Sequence, residues 1–441
     1  MIEKKIIFLF HRDYRTYDNL GLIHCFNLNP SKIYPVFIFT PEQANKTQNK
    51  YFSNNSLQFI IDSLMELNNE LNNKLNIFYG DTQKILKSIV KKEKITDIIE
   101  NEDYTPYAIN RQNKNRKLCE SLKINYEVIH DALLLPIGTI NVEENKFYKI
   151  YTPFYKKALT LSNNIPKPTK LSTGFSNDND NDNDNLISKC TLKTLSINNM
   201  INYLKIDVNP HIKQKGGRKN GLISLNKALK DVAKNYIKTR NNPCENTTFL
   251  SAHLHLGTLS IREVYYKFKE IKADELIKQL WWREFYAYCI IYSDYKPVKW
   301  LSNNKNNFKK WCNGETGCEI VDAGMKQLNK TGWMHNRLRM IVATYLIYYL
   351  HLPWEWGEQY FAQKLVDISL AQNRGNWIWV AGVASYSNPY FKALSPESQQ
   401  KRFDPGKKYI NYWIKSNDYK PIIIDYKEAR KKGIKMIKDS L

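Results

Sequence analysis

Three short clusters in the second half of the chain carry side chains that could hold a charged or aromatic ligand. The first is Thr247-Thr248-Phe249-Leu250-Ser251, followed by Ala252-His253-Leu254-His255-Leu256-Gly257. Hydroxyls gathered ahead of a helix offer side-chain and backbone donors together, a set that suits a phosphate and equally suits an ordinary capped helix. The second is Gln279-Leu280-Trp281-Trp282-Arg283-Glu284-Phe285. At helical spacing Gln279, Trp282 and Arg283 share a face, sending an amide, a stacking plane and a cation into one space. Core aromatics beside a solvated arginine are the plainer reading of the same residues. The third is Gly332-Trp333-Met334-His335-Asn336-Arg337-Leu338-Arg339-Met340, with Asp367 and Asn373-Arg374-Gly375-Asn376-Trp377-Ile378-Trp379 further on. Asn336, Arg339 and Met340 fall on one helix face, while Arg337 points elsewhere and is available to a phosphate. This third cluster holds no nucleophile, paired carboxylates or metal-ligand groups. A polar, aromatic pocket without hydrolytic groups points to chemistry carried by a bound cofactor.

These clusters need elements to position them. From about residue 201 onward, 3.6-residue periodicity runs through 221–236, 261–271, 276–292, 321–328, 335–349 and 357–365, punctuated by Pro243, Gly257, Gly332 and Pro353. The second half is therefore expected to be an all-α domain over 201–441. The first 130 residues instead alternate short β-rich apolar runs (5–10, 33–40, 75–79, 96–99 and 126–129) with helical stretches such as 57–75. Such alternation predicts a doubly wound α/β domain over 1–130, a parallel sheet with helices on both faces. No GxGxxG or Walker motif accompanies it. Residues 131–200 read as an interdomain connector, and the alternating Asn/Asp run 177–185 within it reads as a disordered loop.

Bulk properties narrow the class. Among 441 residues, 66 Lys and Arg against 43 Asp and Glu give a net charge of +23. This favours a polyanionic partner, nucleic acid first, although a Lys-rich composition of the source genome would leave the same mark. Seven cysteines form no CxxC pair, which suits reduced thiols in an intracellular protein. The apolar run near the N-terminus is too short for a signal peptide, and no stretch is long enough to span a bilayer. A soluble protein of the cytoplasm or nucleus is expected. All ten tryptophans lie between Trp281 and Trp413, so a cofactor or base-stacking role belongs to the second half.

Together the clusters resemble the photolyase/cryptochrome family over nearly the whole chain, from Phe8-Leu9-Phe10-His11-Arg12-Asp13 to Pro389-Tyr390-Phe391, most specifically from Gly314-Glu315-Thr316-Gly317 through Trp379. The resemblance implies an N-terminal α/β antenna domain and a helical domain holding U-shaped FAD. It implies that Tyr236, Thr247, Thr248, Leu250 and Ser251 line the FAD phosphates and ribityl chain. Trp281, Arg283, Asn336, Arg339, Asp367 and Asn373 would surround the rest, with an Arg339–Asp367 pair beside the ring and Asn373 facing its N5. Trp377, Trp354 and Trp300 match an electron-transfer triad running from flavin to surface. Trp282 and Trp379 match the pair that walls a pocket for a flipped, UV-damaged base. Arg240, Arg283, Arg337 and Lys392 match contacts to the DNA backbone. The N-terminal cleft near Asn101-Glu102-Asp103-Tyr104 could hold an antenna chromophore, methenyltetrahydrofolate or a deazaflavin.

The pattern Met334-His335-Asn336-Arg337, with Asn336 and Met340 at the lesion face, is similar to class I photolyases for cyclobutane pyrimidine dimers. The resemblance thus implies a deoxyribodipyrimidine photo-lyase, acting as a monomer on UV-damaged DNA. A (6-4) or dual-lesion photolyase and a cryptochrome-type photoreceptor are the alternatives. In (6-4) enzymes a histidine donates a proton in the matching region, whereas His335, one residue from Asn336, is turned about 100° away. Four residues depart from the best-known pattern: Gln279 where a glutamate often contacts the dimer, Ser369 for an aspartate, Arg374 beside Asn373, and Lys392 for arginine.

Overall fold

The computed structural model describes residues 3–143, 146–171, 186–292, 294–387, 393–415 and 420–441. The Asn/Asp run 177–185, Lys392 and the Pro389-Tyr390-Phe391 stretch lie outside the described residues. Five strands, β1 (Lys5–Leu9), β2 (Lys32–Phe39), β3 (Asn76–Tyr79), β4 (Asp97–Asn101) and β5 (Asn125–Ile129), form one sheet of order β3-β2-β1-β4-β5. Every pairing is parallel, with Ile7 opposite Tyr34 on one side and Ile98 on the other. β1 and β2 read as nearly unbroken apolar runs because both faces are covered, whereas β3 and β4 carry buried Asn76, Asp97, Glu100 and Asn101. Ile6, Phe8 and Phe10 enter one core with Phe37 and Phe59, while Ile7 and Leu9 enter the other with Leu86 and Ile98.

The remainder is mostly helical, as its periodicity predicts. The long Asp274–Tyr292 helix packs against Leu370–Ala381, which also contacts Asn336–Tyr348 and Trp354–Lys364. Gly332, in the left-handed region at φ +65°, ends the Glu319–Thr331 helix, and a Cβ there would lie 2.7 Å from Asn55 Nδ2. Three residues later His335 starts the next helix, its ring Nδ1 accepting from the Arg337 amide at 3.1 Å. Lys305–Asn313 and Leu370–Ala381 are among the helices that lie outside the periodic stretches read from sequence, with Pro396–Phe403, Lys408–Trp413 and Tyr426–Lys438. In Leu370–Ala381, Asn373, Gly375 and Asn376 are poor helix formers, and tertiary packing overrides them.

The stretch between the halves carries structure of its own. Its Tyr151–Thr160 helix packs on Asp274–Tyr292, and Ile187 bridges Ile33 of β2. The sheet and helices also share a buried charge network. Arg15 and Arg262 both bind Asp131, at 2.6 and 2.7 Å, and Arg262 reaches Asp18 at 3.0 Å. Two guanidinium groups against two carboxylates make the network self-neutralising, and its members hold Asp131 ionised, far below the usual carboxylate range despite burial. Among the described residues no helix is long and apolar enough to cross a membrane.

Candidate active site

A cavity of about 550 Å³ opens among the helices, a size suited to a cofactor. Tyr236, Thr247, Thr248, Leu250 and Ser251 line one part of it. The Ser251 hydroxyl accepts from Gln214 Nε2 at 3.1 Å, while Gln214 Oε1 takes the Ala252 amide at 3.0 Å, so the hydroxyl-bearing turn is held from behind. Arg283, Arg339, Asp367 and Asn373 line another part. Arg339 Nη2 donates to both Asp367 oxygens, at 2.9 and 3.1 Å, and its Nε donates to the Met334 carbonyl at 2.9 Å. Asn373 Nδ2 donates to the Glu358 carbonyl at 2.9 Å, which fixes the plane of its amide. Arg283 is held by the Leu254 carbonyl at 3.2 Å and by Glu284 at 3.3 Å.

The mouth differs from the floor. Asp367, Asn373 and Trp377 are buried, whereas Gln279 and Asn336 are exposed, and Trp282, Met340 and Trp379 are half-buried in the wall between. One face of Trp282 lies flat on Tyr151, ring centroids 3.7 Å apart at 8°. Trp377 packs edge-on to Phe361 (5.1 Å) and Trp311 (6.2 Å), and its indole crosses the bare backbone of Gly357, where a Cβ would come within 2.2 Å. Gly357 is one turn from the buried Trp354 on the same helix, and Trp300 is partly exposed. Trp377 and Trp354 are thus both buried, and Trp300 alone of the three is partly exposed.

Several expected residues stand elsewhere. Trp281 does not line the cavity: it is fully buried, and its Nε1 has no hydrogen-bond partner. On the helix it points about 160° away from Arg283, so the core claims it and Trp282 alone faces the cavity. Arg240 and Arg337 also lie outside the wall. Arg240 pairs with Glu275 at 3.3 Å. Arg337 binds Asn241 at 2.5 Å and stacks over Phe403 at 4.5 Å; burial, then Arg402 and Arg240, disfavour its charge. Among the departures, Ser369 lines the cavity and hydrogen-bonds Gln372. Arg374 turns away, to Tyr51 Oη at 3.0 Å and Glu358 at 3.5 Å, and so ties this helix to the N-terminal part. His335 is buried and off the wall, its ring pushed down to about 4 by burial, then by Arg337 and Arg339. Neutral and capping a helix, it is not placed to donate a proton into the cavity.

Sequence reading missed Tyr286, Gln372 and Asn376, which also line the cavity. Tyr286 donates to Asn376 at 2.8 Å and Gln372 to the Arg283 carbonyl at 3.0 Å, cross-bracing the two helices. Their signal was spacing: Tyr286 follows Trp282 by four, Asn376 follows Gln372 by four, and Asn376 follows Asn373 by three. In the α/β part, Arg12 at the end of β1 binds Asp103 at 2.8 Å and lies over Tyr104 at 5.4 Å, across the point where strand order reverses.

The donor set fits FAD: hydroxyls suit the diphosphate and sugar chain, and the amides and the neutral ion pair suit a ring whose charge changes with redox state. Comparison with known proteins bears on this directly. Residues 6–171 match the family model described as DNA photolyase, and 276–419 match the FAD binding domain of DNA photolyase. A deoxyribodipyrimidine photo-lyase of Vibrio cholerae is 31% identical over 432 residues, covering 92% of this chain and 89% of that protein. The chain belongs to the DNA photolyase family. An archaeal photolyase from Sulfolobus tokodaii, whose crystal structure has two FAD molecules, superposes with a TM-score of 0.82 at 30% identity, covering 99% of this chain and all of that one. A Synechocystis cryptochrome shares the fold, with a TM-score of 0.87 at 20% identity over 99% of each chain. The FAD-binding match spans the helices that carry Gln279 through Trp379, which wall part of the cavity.

Proposed function

We propose that this chain is a deoxyribodipyrimidine photo-lyase, a light-driven enzyme that splits cyclobutane pyrimidine dimers in UV-damaged DNA. The observation that carries the reading is the two-layer cavity: a floor with buried Asp367 and Asn373, the former paired with half-buried Arg339, beneath a mouth bounded by Trp282, Trp379, Asn336 and Met340. Bound reduced FAD supplies the excited electron that opens the cyclobutane ring and is then returned. The protein's part is positional. Trp282 and Trp379 offer planes for a flipped dimer, and Gln279 and Asn336 offer amides at the rim for pyrimidine edges. Arg339 and Asp367 neutralise each other, so the floor presents dipoles rather than a net charge. The Asn373 amide gives up no proton readily, which favours an anionic reduced ring. Asn336 and Met340, not histidines, hold the mouth; His255, which lines the same cavity, is held well below its ordinary range by burial, then by Arg12 and Arg283, and dimer splitting, unlike (6-4) repair, demands no general acid.

Trp377, Trp354 and Trp300 form the route by which electrons reach the cofactor from the surface, and Arg240, Arg283, Arg337 and Lys392 meet the DNA backbone. The enzyme works as an intracellular monomer with domains over 1–130 and 201–441 joined by 131–200. A second chromophore, methenyltetrahydrofolate or a deazaflavin, would use the crevice at Arg12, Asp103 and Tyr104. The deciding experiment is a lesion-resolved assay with reduced, FAD-loaded protein and oligonucleotides bearing either a thymine dimer or a (6-4) product. Restoration of thymines from the dimer, only under blue light, is expected. Persistence of the dimer in the light with fully reduced flavin would overturn the reading and favour a photoreceptor.

A further inference from the structure

Trp282 is held more tightly than a pocket wall requires, and the residue that holds it comes from outside the helical domain's main sequence block. Tyr151 opens the Tyr151–Thr160 helix and lies face to face with Trp282 at 3.7 Å and 8°, the shortest ring separation among the described aromatic pairs. Its hydroxyl donates to the Lys278 carbonyl at 2.8 Å, one helical turn before Trp282 on the same helix. The tyrosine is thus fixed at one end to the helix whose tryptophan it covers at the other. Phe285 meets both rings edge-on, at 5.7 Å to Trp282 and 5.8 Å to Tyr151. Tyr155 stacks behind Tyr151 at 5.7 Å and 12°. One indole face is occupied by this column, and Trp282 also lines the cavity.

We propose that Tyr151 is a positioning residue for damage recognition, presetting the plane of Trp282 so that a flipped pyrimidine dimer stacks on it without first ordering the indole. This inference rests on the dimer-repair reading above and adds to it a residue of the connecting segment. A half-buried tryptophan at a cavity mouth has two torsions to freeze on binding, and ordering such a side chain weakens association by roughly two- to tenfold. The column removes that loss in advance. The hydroxyl is committed to a backbone carbonyl, which takes its hydrogen bond but not its proton, so the ring serves as a backing plane.

The test compares FAD-loaded wild type, Tyr151→Leu and Tyr151→Phe for affinity toward one oligonucleotide with a single thymine dimer and its undamaged twin. Tyr151→Leu is expected to bind the dimer about fivefold more weakly while its affinity for undamaged DNA and its flavin photoreduction hold, because only a stacked lesion uses the preset plane. Tyr151→Phe keeps the stack and should recover most of the discrimination. Combining Tyr151→Leu with Trp282→Leu should cost no more than Trp282→Leu alone, since Tyr151 acts through that ring. An additive double variant, an equal loss on both DNAs, or an unchanged Tyr151→Leu overturns the proposal. If Tyr151→Leu does not fold, loss of discrimination in Tyr151→Phe overturns it and retention supports it. A wild type that repairs while these variants behave otherwise refutes the positioning role alone; a wild type that neither binds nor repairs dimers refutes the function itself.

Discussion

Replacing His335 with asparagine should flatten the acid side of this protein's stability profile. The folded chain holds the imidazole neutral, at about 4 against an ordinary 6.5, because it is buried and faces Arg337 and Arg339. Its Nδ1 must keep a lone pair to accept the Arg337 amide, so a proton there would also undo the cap. A depressed folded value means that the unfolded chain takes up the proton first. The stabilising contribution is therefore whole above 6.5 and shrinks as pH falls toward 4. Between about pH 7.5 and pH 5 the loss comes to about 2 kcal/mol from this one group. Asparagine can accept the same amide bond and does not titrate. Urea unfolding followed by circular dichroism, run on both proteins across that interval, should show the wild type losing about 2 kcal/mol more than His335→Asn. His253, also pushed down to about 4 by burial, contributes the same slope to both and cancels. Flavin release should follow the same difference, because the capped turn carries Asn336 and Arg339. Parallel profiles for the two proteins would refute the assignment of a buried neutral cap.

Two further outcomes are expected. Trp377→Phe should abolish photoreduction of oxidised flavin yet leave dimer repair by chemically reduced enzyme within about twofold, as measured by flavin absorbance and by thymine recovery; equal loss of both would remove Trp377 from the electron route. Asp367→Asn leaves the Arg339 cation without its counter-charge beside the cavity, a change that costs roughly 2–3 kcal/mol, and should appear as a lowered melting temperature and reduced flavin content in the purified protein.

Much of this site was legible in the residues themselves. Asn336, Arg339 and Met340 could be set on one face by counting along a helix, and β1 and β2 announced themselves because a strand covered on both faces favours an apolar run. What escaped depended on contacts between distant segments. The adjacent Trp281 and Trp282 look interchangeable in one dimension, and only the direction of the core separates them. Arg374 reads as a cation beside the flavin, yet its partners are Glu358 and Tyr51, the latter more than three hundred residues earlier. Tyr151 carries no motif, and its meaning arises where its helix lands. The Leu370–Ala381 helix was obscured by the asparagines and glycine that its position demands.

Gly357 deserves a last consequence, because the innermost tryptophan rests on it. A contact made by the absence of a side chain cannot be adjusted by degrees. Any replacement adds an atom where the indole already lies, 2.2 Å away, so even alanine must displace Trp377 or spread two helices. Trp300, at the partly exposed end, has room to be exchanged and restored. In a saturation library selected for survival under UV followed by light, the sharpest intolerance along this route should therefore fall on a residue with no chemistry of its own. Drift could erode the outer end of the proposed electron path and rebuild it, while the inner end would change only by a concerted move of the packed helices.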